Sequence, residues 1–304
     1  MISAPIAGRL EAAGLDPDHV ERVVRLALDE DLDGGVDVTS VATVDEDARA
    51  VADFTTRAAG VAAGIPVAAA VLDLVSRGGA GPGGGAEIEF RAADGDRIEP
   101  GDVLFTASGR TRDLLTAERT ALNLLCHLSG VATVTRAWVD AVAGTGARIR
   151  DTRKTTPGLR RLEKYAVRCG GGVNHRMSLS DAAMVKDNHV VAAGGVVEAF
   201  DAVRKRFPDL GIEVEVDSLD QLLPVVEAGA ELVLLDNFTP ERMRAAVLLV
   251  GRNEPYGRTR LEASGGLTLG GARAAAETGV DYLSVGALTH SAPILDIGCD
   301  FRST

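Results

Sequence analysis

Ile212-Glu213-Val214-Glu215-Val216-Asp217 is followed, one apolar-faced helix later, by Leu234-Leu235-Asp236-Asn237, and this pairing of a short apolar strand with a helix recurs from Ile149 to Gly286. Strands are expected near residues 147–151, 182–186, 212–217, 231–236, 259–264 and 281–285. The helices between them carry apolar faces: Val196, Val197, Phe200 and Val203; Leu222, Leu223, Val225 and Val226; Met243, Ala246, Val247 and Val250. Short βα units of this kind imply parallel strands joined by right-handed crossovers, and favour a β/α barrel over an open sheet. In such a barrel all strand C-termini open onto one face, so the polar residues that follow them converge on one pocket.

Those polar residues are sorted by charge. The first strand ends are basic: Asp151-Thr152-Arg153-Lys154-Thr155, Asn174-His175-Arg176 and Met184-Val185-Lys186-Asp187-Asn188. Arg153 and Arg176 suit planar carboxylates through bidentate forks, Lys154 and Lys186 supply compact charges, and His175 offers a hydrogen bond to a carboxylate, although a lone histidine is more often structural. The next strand ends are acidic. Period-two geometry puts Glu213, Glu215 and Asp217 on one face, where with Asp236 they suit a hard cation such as Mg²⁺. Salt bridges to neighbouring Arg or Lys explain these carboxylates equally well until the phosphate loops are counted. Those loops are Ala263-Ser264-Gly265-Gly266 and Val285-Gly286-Ala287, two consecutive glycine-rich strand ends whose bare N–H groups suit a phosphate. Tight turns alone would also use such glycines. Cations in excess of one phosphate's need point to a second, carboxylate-bearing substrate.

Composition removes other classes. The chain has 304 residues, 46% hydrophobic and 25% charged, which suits a globular protein with one large or two ordinary domains. A net charge of −12 opposes a nucleic-acid or anionic-membrane surface. Against it, residues 148–189 hold ten Lys/Arg and four Asp/Glu, a local net of +6 whose clustering follows the strand ends. Cys126, Cys169 and Cys299 show no paired spacing, the N-terminus lacks a secretory pattern, and the most apolar run, Val61 to Val75, is interrupted by Pro66 and Asp73. A soluble cytoplasmic protein without membrane or nucleic-acid partners is expected.

The N-terminal part reads as α+β. Asp16-Pro17 caps a helix that Gly34-Gly35 should stop, residues 48–61 and 86–106 are β-rich around a helix from Ile65 to Ser76, Gly78 to Gly85 is a flexible stretch, and a long helix runs from about Arg112 to Ala143. The turn-rich Asp94 to Leu104 segment resembles a biotinyl or lipoyl carrier, but no lysine lies between Met1 and Arg153 to receive the group.

Several segments together resemble one enzyme family. Glu118-Arg119-Thr120-Ala121-Leu122-Asn123, Asp151-Thr152-Arg153-Lys154-Thr155-Thr156-Pro157-Gly158, Gly172-Val173-Asn174-His175-Arg176, Lys186-Asp187-Asn188-His189 and Glu213-Val214-Glu215-Val216-Asp217 are similar to quinolinate phosphoribosyltransferases. Leu235-Asp236-Asn237, Ala263-Ser264-Gly265-Gly266 and Val285-Gly286-Ala287-Leu288-Thr289-His290-Ser291 continue the likeness in order.

The resemblance implies an α/β protein in two parts: an N-terminal α+β open sandwich over residues 1–118 that the tail 288–304 rejoins, and an incomplete β/α barrel over 119–287. It implies a homodimer in which Arg119 reaches the neighbouring subunit's pocket. Arg153, His175, Arg176 and Lys186, with Thr152 nearby, would surround quinolinate. Lys154, Glu215 and Asp236 would be the catalytic groups facing 5-phosphoribosyl 1-pyrophosphate, with Glu215 and Asp236 toward Mg²⁺. Ser264, Gly265, Gly266, Gly286 and His290 would lie around the donor's phosphates. The implied reaction yields nicotinate mononucleotide, pyrophosphate and CO2. A related phosphoribosyltransferase-like enzyme from a molybdenum-transport locus shares this scaffold, and a phosphate-binding barrel isomerase or lyase would explain the glycine loops but not the surplus cations.

Overall fold

The computed structural model describes residues 1–78, 85–251 and 259–303, so most of the glycine-rich stretch expected to be flexible lies outside the described residues. In chain order the elements are α1 (Ala4–Ala12), α2 (Pro17–Leu32), α3 (Val38–Thr43), β1 (Arg49–Thr56), β2 (Gly60–Val61), α4 (Ile65–Gly78), β3 (Glu87–Phe90), β4 (Arg97–Ile98), β5 (Val103–Arg110) and α5 (Thr111–Ala141). Next come β6 (Arg148–Arg150), α6 (Arg160–Cys169), β7 (Ala183–Val185), α7 (Asp187–Ala193), α8 (Val196–Arg206), β8 (Ile212–Val216), α9 (Leu219–Glu227), β9 (Leu232–Asp236) and α10 (Pro240–Gly251). The chain ends with β10 (Arg260–Ser264), α11 (Leu269–Ala276), β11 (Tyr282–Ser284), α12 (Ala287–His290) and β12 (Ile297–Ser303). Two compact units result: Met1–Val134 with Thr156–Gly171 and Ser291–Thr304, and Thr135–Thr155 with Gly172–His290.

In the first unit an antiparallel sheet runs in the order β12-β1-β5-β3. Its register ties the C-terminal strand to the start of the chain, from Ala50 opposite Ser303 to Thr56 opposite Ile297. β1 alternates between fully buried residues and less buried ones, as a strand with one covered face must. Phe54 and Phe105 stack across β1 and β5 with centroids 4.3 Å apart. The Asp16 carboxylate caps α2 by accepting from Asp18 N–H, with Pro17 at the first helical position. That helix ends one residue earlier than the glycine pair suggests, on Asp33 in the left-handed region at φ 45°. The carrier-like turn is tied inward: Asp94 accepts from Gly64 and Ile65 N–H at the start of α4 and from the Tyr165 hydroxyl.

The second unit is built on six parallel strands in the order β6-β11-β10-β9-β8-β7. Every expected strand forms, each within a residue or two of its sequence bounds. Beyond β6 a single parallel bridge joins Arg150 to Val173, and no strand pairing joins β7 to that edge among the described residues, so the barrel is incomplete. The strand centres are apolar and buried, including Val214, Val233, Leu235, Ala263 and Leu283, and so are Phe200 of α8, Leu222 and Val225 of α9 and Met243 and Ala246 of α10. No described helix is long and apolar enough to cross a membrane.

Candidate active site

The strand ends of the second unit enclose a cavity of about 350 Å³. Its wall contains Thr152, Arg153, Lys154, His175, Arg176, Lys186, Glu215, Asp236, Ser264 and Gly265, all expected there from the sequence. It also contains Met184, Leu234 and Ser284, which were missed. Period two on the same strands was the available signal, because Leu234 shares its face with Asp236, and Ser284 Oγ lies 3.4 Å from Ser264 Oγ. Gly266, Gly286 and His290 stand outside the wall itself. Gly286 nevertheless backs the site: a Cβ there would sit 3.0 Å from Lys154 Cδ and 3.3 Å from His290 Nε2. Arg119 is an exposed residue of α5, in the first unit, and is not among the wall residues.

Four of the ten clustered cations line this cavity: Arg153, Lys154, Arg176 and Lys186. The expectation that the basic cluster follows strand ends holds only in part. Four others, Arg160, Arg161, Lys164 and Arg168, belong to α6 in the first unit, while Arg150 is turned to Glu262. Arg176 donates through Nη1 to the Ala182 carbonyl, and burial followed by the neighbouring Arg153 charge holds its guanidinium below the usual arginine range. Its Nε and that of Arg153 are buried without a hydrogen-bond partner. Two neighbouring guanidinium groups with donors to spare make a field that favours an anion.

The acidic side differs from the sequence reading. Glu213, Glu215 and Asp217 do not act together: only Glu215 lines the cavity, and Asp217 is exposed past the strand end, where its carbonyl accepts from Arg242. Glu213 is buried against His175, whose Nε2 lies 2.6 Å from Glu213 Oε2 and 3.7 Å from Glu262 Oε1. The other ring nitrogen, Nδ1, accepts from Arg176 N–H at 2.7 Å. A nitrogen that accepts a backbone hydrogen bond carries no proton, so the ring proton belongs on Nε2, facing the two carboxylates. His175 therefore shows the cavity its ring and not a free donor, which corrects the expected hydrogen bond to a substrate carboxylate.

His175, Glu213 and Glu262 place ligand-type atoms within 4.8 Å of one another, close enough to hold an ion. The protonated Nε2 argues against that use, since a metal would need that lone pair. Arg150 Nη1 donates to Glu262 Oε2 at 2.5 Å instead. Burial, reinforced by the Glu213 charge, pushes Glu262 up to about 7 against the pull of Arg150 and His175. One proton held within this group offsets the cost of two carboxylates removed from water.

Glu215 and Asp236, on adjacent strands β8 and β9, are the cavity's two carboxylates. Lys186 Nζ donates to Glu215 Oε2, and Asn237 Nδ2 donates to Asp236 Oδ2 at 2.8 Å. Each carboxylate retains a second oxygen, which is the donor type a hard divalent cation takes. Beside Asp236, past the end of the adjacent strand β10, Gly265 and Gly266 adopt φ values of 86° and 60°, which open the loop between Ser264 and the Thr268 cap of α11. Thr289 Oγ1 donates to the Lys154 carbonyl at 2.7 Å, tying the last strand's loop to the first.

Family descriptions for quinolinate phosphoribosyl transferase match residues 37–129 as the N-terminal domain and 131–300 as the C-terminal domain. The chain belongs to the quinolinate phosphoribosyl transferase family. A nicotinate-nucleotide pyrophosphorylase [carboxylating] of Mycobacterium leprae is 53% identical over 93% of this chain and 97% of its own length. A probable nicotinate-nucleotide pyrophosphorylase [carboxylating] of Bacillus subtilis is 45% identical over 68% of this chain and 70% of its own. Among solved structures, NadC from Streptococcus pyogenes is similar with a TM-score of 0.88 at 38% identity, covering 95% of this chain and 99% of that one. The nicotinate-nucleotide pyrophosphorylase from Francisella tularensis has a TM-score of 0.86 at 37% identity over 94% and 96%. The quinolinate phosphoribosyl transferase family thus accounts for both units of the fold.

Proposed function

We propose that this chain transfers phosphoribose from 5-phosphoribosyl 1-pyrophosphate to the ring nitrogen of quinolinate and releases the 2-carboxylate, giving nicotinate mononucleotide, pyrophosphate and CO2 in de novo NAD biosynthesis. The single observation that carries this reading is one cavity wall holding Arg153, Arg176 and Lys154 together with Glu215, Asp236 and the Ser264-Gly265 loop. A dicarboxylate suits the guanidinium side and a polyphosphate with its cation suits the rest. The relatives' names favour the quinolinate enzyme over the molybdenum-locus alternative.

Arg153 and Arg176 would bind the acceptor's carboxylates and fix its nitrogen toward ribose C1, and the Ser264-Gly265 loop would hold phosphate oxygens through backbone N–H groups. Lys154 would face the departing pyrophosphate. The bond from C1 to the pyrophosphate oxygen breaks as the nitrogen bonds C1. Glu215 and Asp236 would hold Mg²⁺, which when bound neutralises charge developing on the pyrophosphate. Glu215 would offer the oxygen that Lys186 does not hold, and the Lys186 ammonium would face the acceptor's carboxylate. The positive charge on the alkylated nitrogen then stabilises the electron pair left on C2 when the C2–carboxylate bond breaks, and a proton from water takes the place of CO2 on that carbon. No protein nucleophile is needed.

The exposed Arg119 suits a homodimer in which it enters the partner's cavity. A cytoplasmic location fits the substrates. Pyrophosphate release from 5-phosphoribosyl 1-pyrophosphate, followed with quinolinate, with nicotinate and with neither, tests the assignment. Release with quinolinate alone is expected, and equal release with nicotinate would refute it.

A further inference from the structure

Asn237 follows Asp236 directly and is one of only two non-glycine residues with positive φ among those described, at 55°. Asn tolerates the left-handed region better than most residues, but a strand end does not require it. Its groups meet both neighbours. The amide Nδ2 donates to Asp236 Oδ2 at 2.8 Å, and the backbone N–H donates to the Ser264 carbonyl at 2.9 Å. On its other side the Gly265 backbone approaches so closely that a Cβ there would fall 2.2 Å from Asn237 Oδ1 and 3.0 Å from Asn237 N. One side chain therefore touches the carboxylate of β9 and the glycine loop of β10, two parts of the cavity wall whose spacing a donor must match.

We propose that Asn237 is a positioning residue that orients the Asp236 carboxylate and locks it in register with the Ser264-Gly265 loop for the phosphoribosyl donor. The left-handed backbone turns the amide back onto the preceding carboxylate, which an extended residue does not do. With Nδ2 on one oxygen of Asp236, the other is left facing the cavity. This role rests on the functional reading above and assigns within it a residue that lies behind the cavity wall.

The test uses Asn237→Gly, which keeps the left-handed backbone without strain and deletes the amide. Calorimetric affinities for 5-phosphoribosyl 1-pyrophosphate with Mg²⁺ and, separately, for quinolinate are measured in the wild type, Asn237→Gly, Asp236→Ala and the double variant. The expected result is donor affinity about tenfold weaker in Asn237→Gly, the scale of one lost hydrogen bond to a charged group. Quinolinate affinity and melting temperature should hold, and the change should add nothing in the Asp236→Ala background. Asn237→Asp, similar in shape but without the donor, should lose donor affinity too. Unchanged donor affinity in Asn237→Gly, or an equal loss with and without Asp236, would overturn the positioning role. A wild-type protein that binds neither substrate would overturn the functional reading and this role with it.

Discussion

Arg153 and Arg176 illustrate how residue identity and placement divide the work. The sequence names both as carboxylate forks; the fold makes them neighbours and so loads the cavity with like positive charge. Arg153→Ala and Arg176→Ala should each weaken quinolinate binding roughly ten- to a hundredfold, the range of a lost hydrogen bond to a charged group, with a smaller effect on the donor. Titration calorimetry with each ligand separately checks this, and unchanged quinolinate affinity in both variants would remove the assignment. Glu262 carries a pH prediction. In the folded chain it keeps its proton up to about 7, whereas the ordinary value is 4.5. The folded state therefore binds more protons between these values, and this contribution to stability declines as pH rises through that window. Glu262→Gln cannot titrate, so its melting temperature should improve relative to wild type as pH goes from about 5 to about 8. A constant gap across that range would contradict a raised Glu262. At this scale the sequence placed Glu213 and Glu215 on one face. It could not show that Glu213 is committed to His175, because that pairing depends on depth along the strand.

Among the elements, the βα alternation was legible because burial writes a period of two into strands and an apolar stripe into helices. The strand-end loops followed from it. Less legible was α6: its run Arg160-Arg161-Leu162-Glu163-Lys164 reads as a charged surface, yet Leu162, Glu163 and Lys164 are all buried. Glu163 is matched by His127 at 2.9 Å and by Thr156 N–H at 3.0 Å, partners that no local pattern announces. Close helix packing was similarly silent. Gly130 lies within α5, where a Cβ would come 2.1 Å from the Pro293 carbonyl oxygen and 3.0 Å from Ile294 Cα. Both are backbone atoms with little freedom to retreat. Gly130→Ala should cost about 1–3 kcal/mol, read as a lower denaturation midpoint. Gly265→Ala combines strain at φ 86° with a clash against Asn237, so it should weaken donor binding while leaving quinolinate affinity near wild type. Retained donor affinity would show that the loop relaxes without harm.

For the whole molecule the proposed homodimer carries its own prediction. If Arg119 acts in the partner's cavity, Arg119→Ala and Lys154→Ala are each inactive alone but complement one another, because a mixed dimer rebuilds one complete cavity. Random mixing should restore about a quarter of wild-type activity, since half the dimers are mixed and each has one good site. No recovery on co-expression would place Arg119 outside any shared site. The sequence by itself determined the order of strands and helices, the charge class of each strand end and the family likeness, because each is written in local composition and spacing. Tertiary structure alone decided which charges meet: Lys186 with Glu215, Arg150 with Glu262, His175 with Glu213, and Asn237 with the glycine loop. The physical reason is that a charge's partner is set by depth and register between strands far apart in the chain, and neither distance is encoded in the residues flanking it.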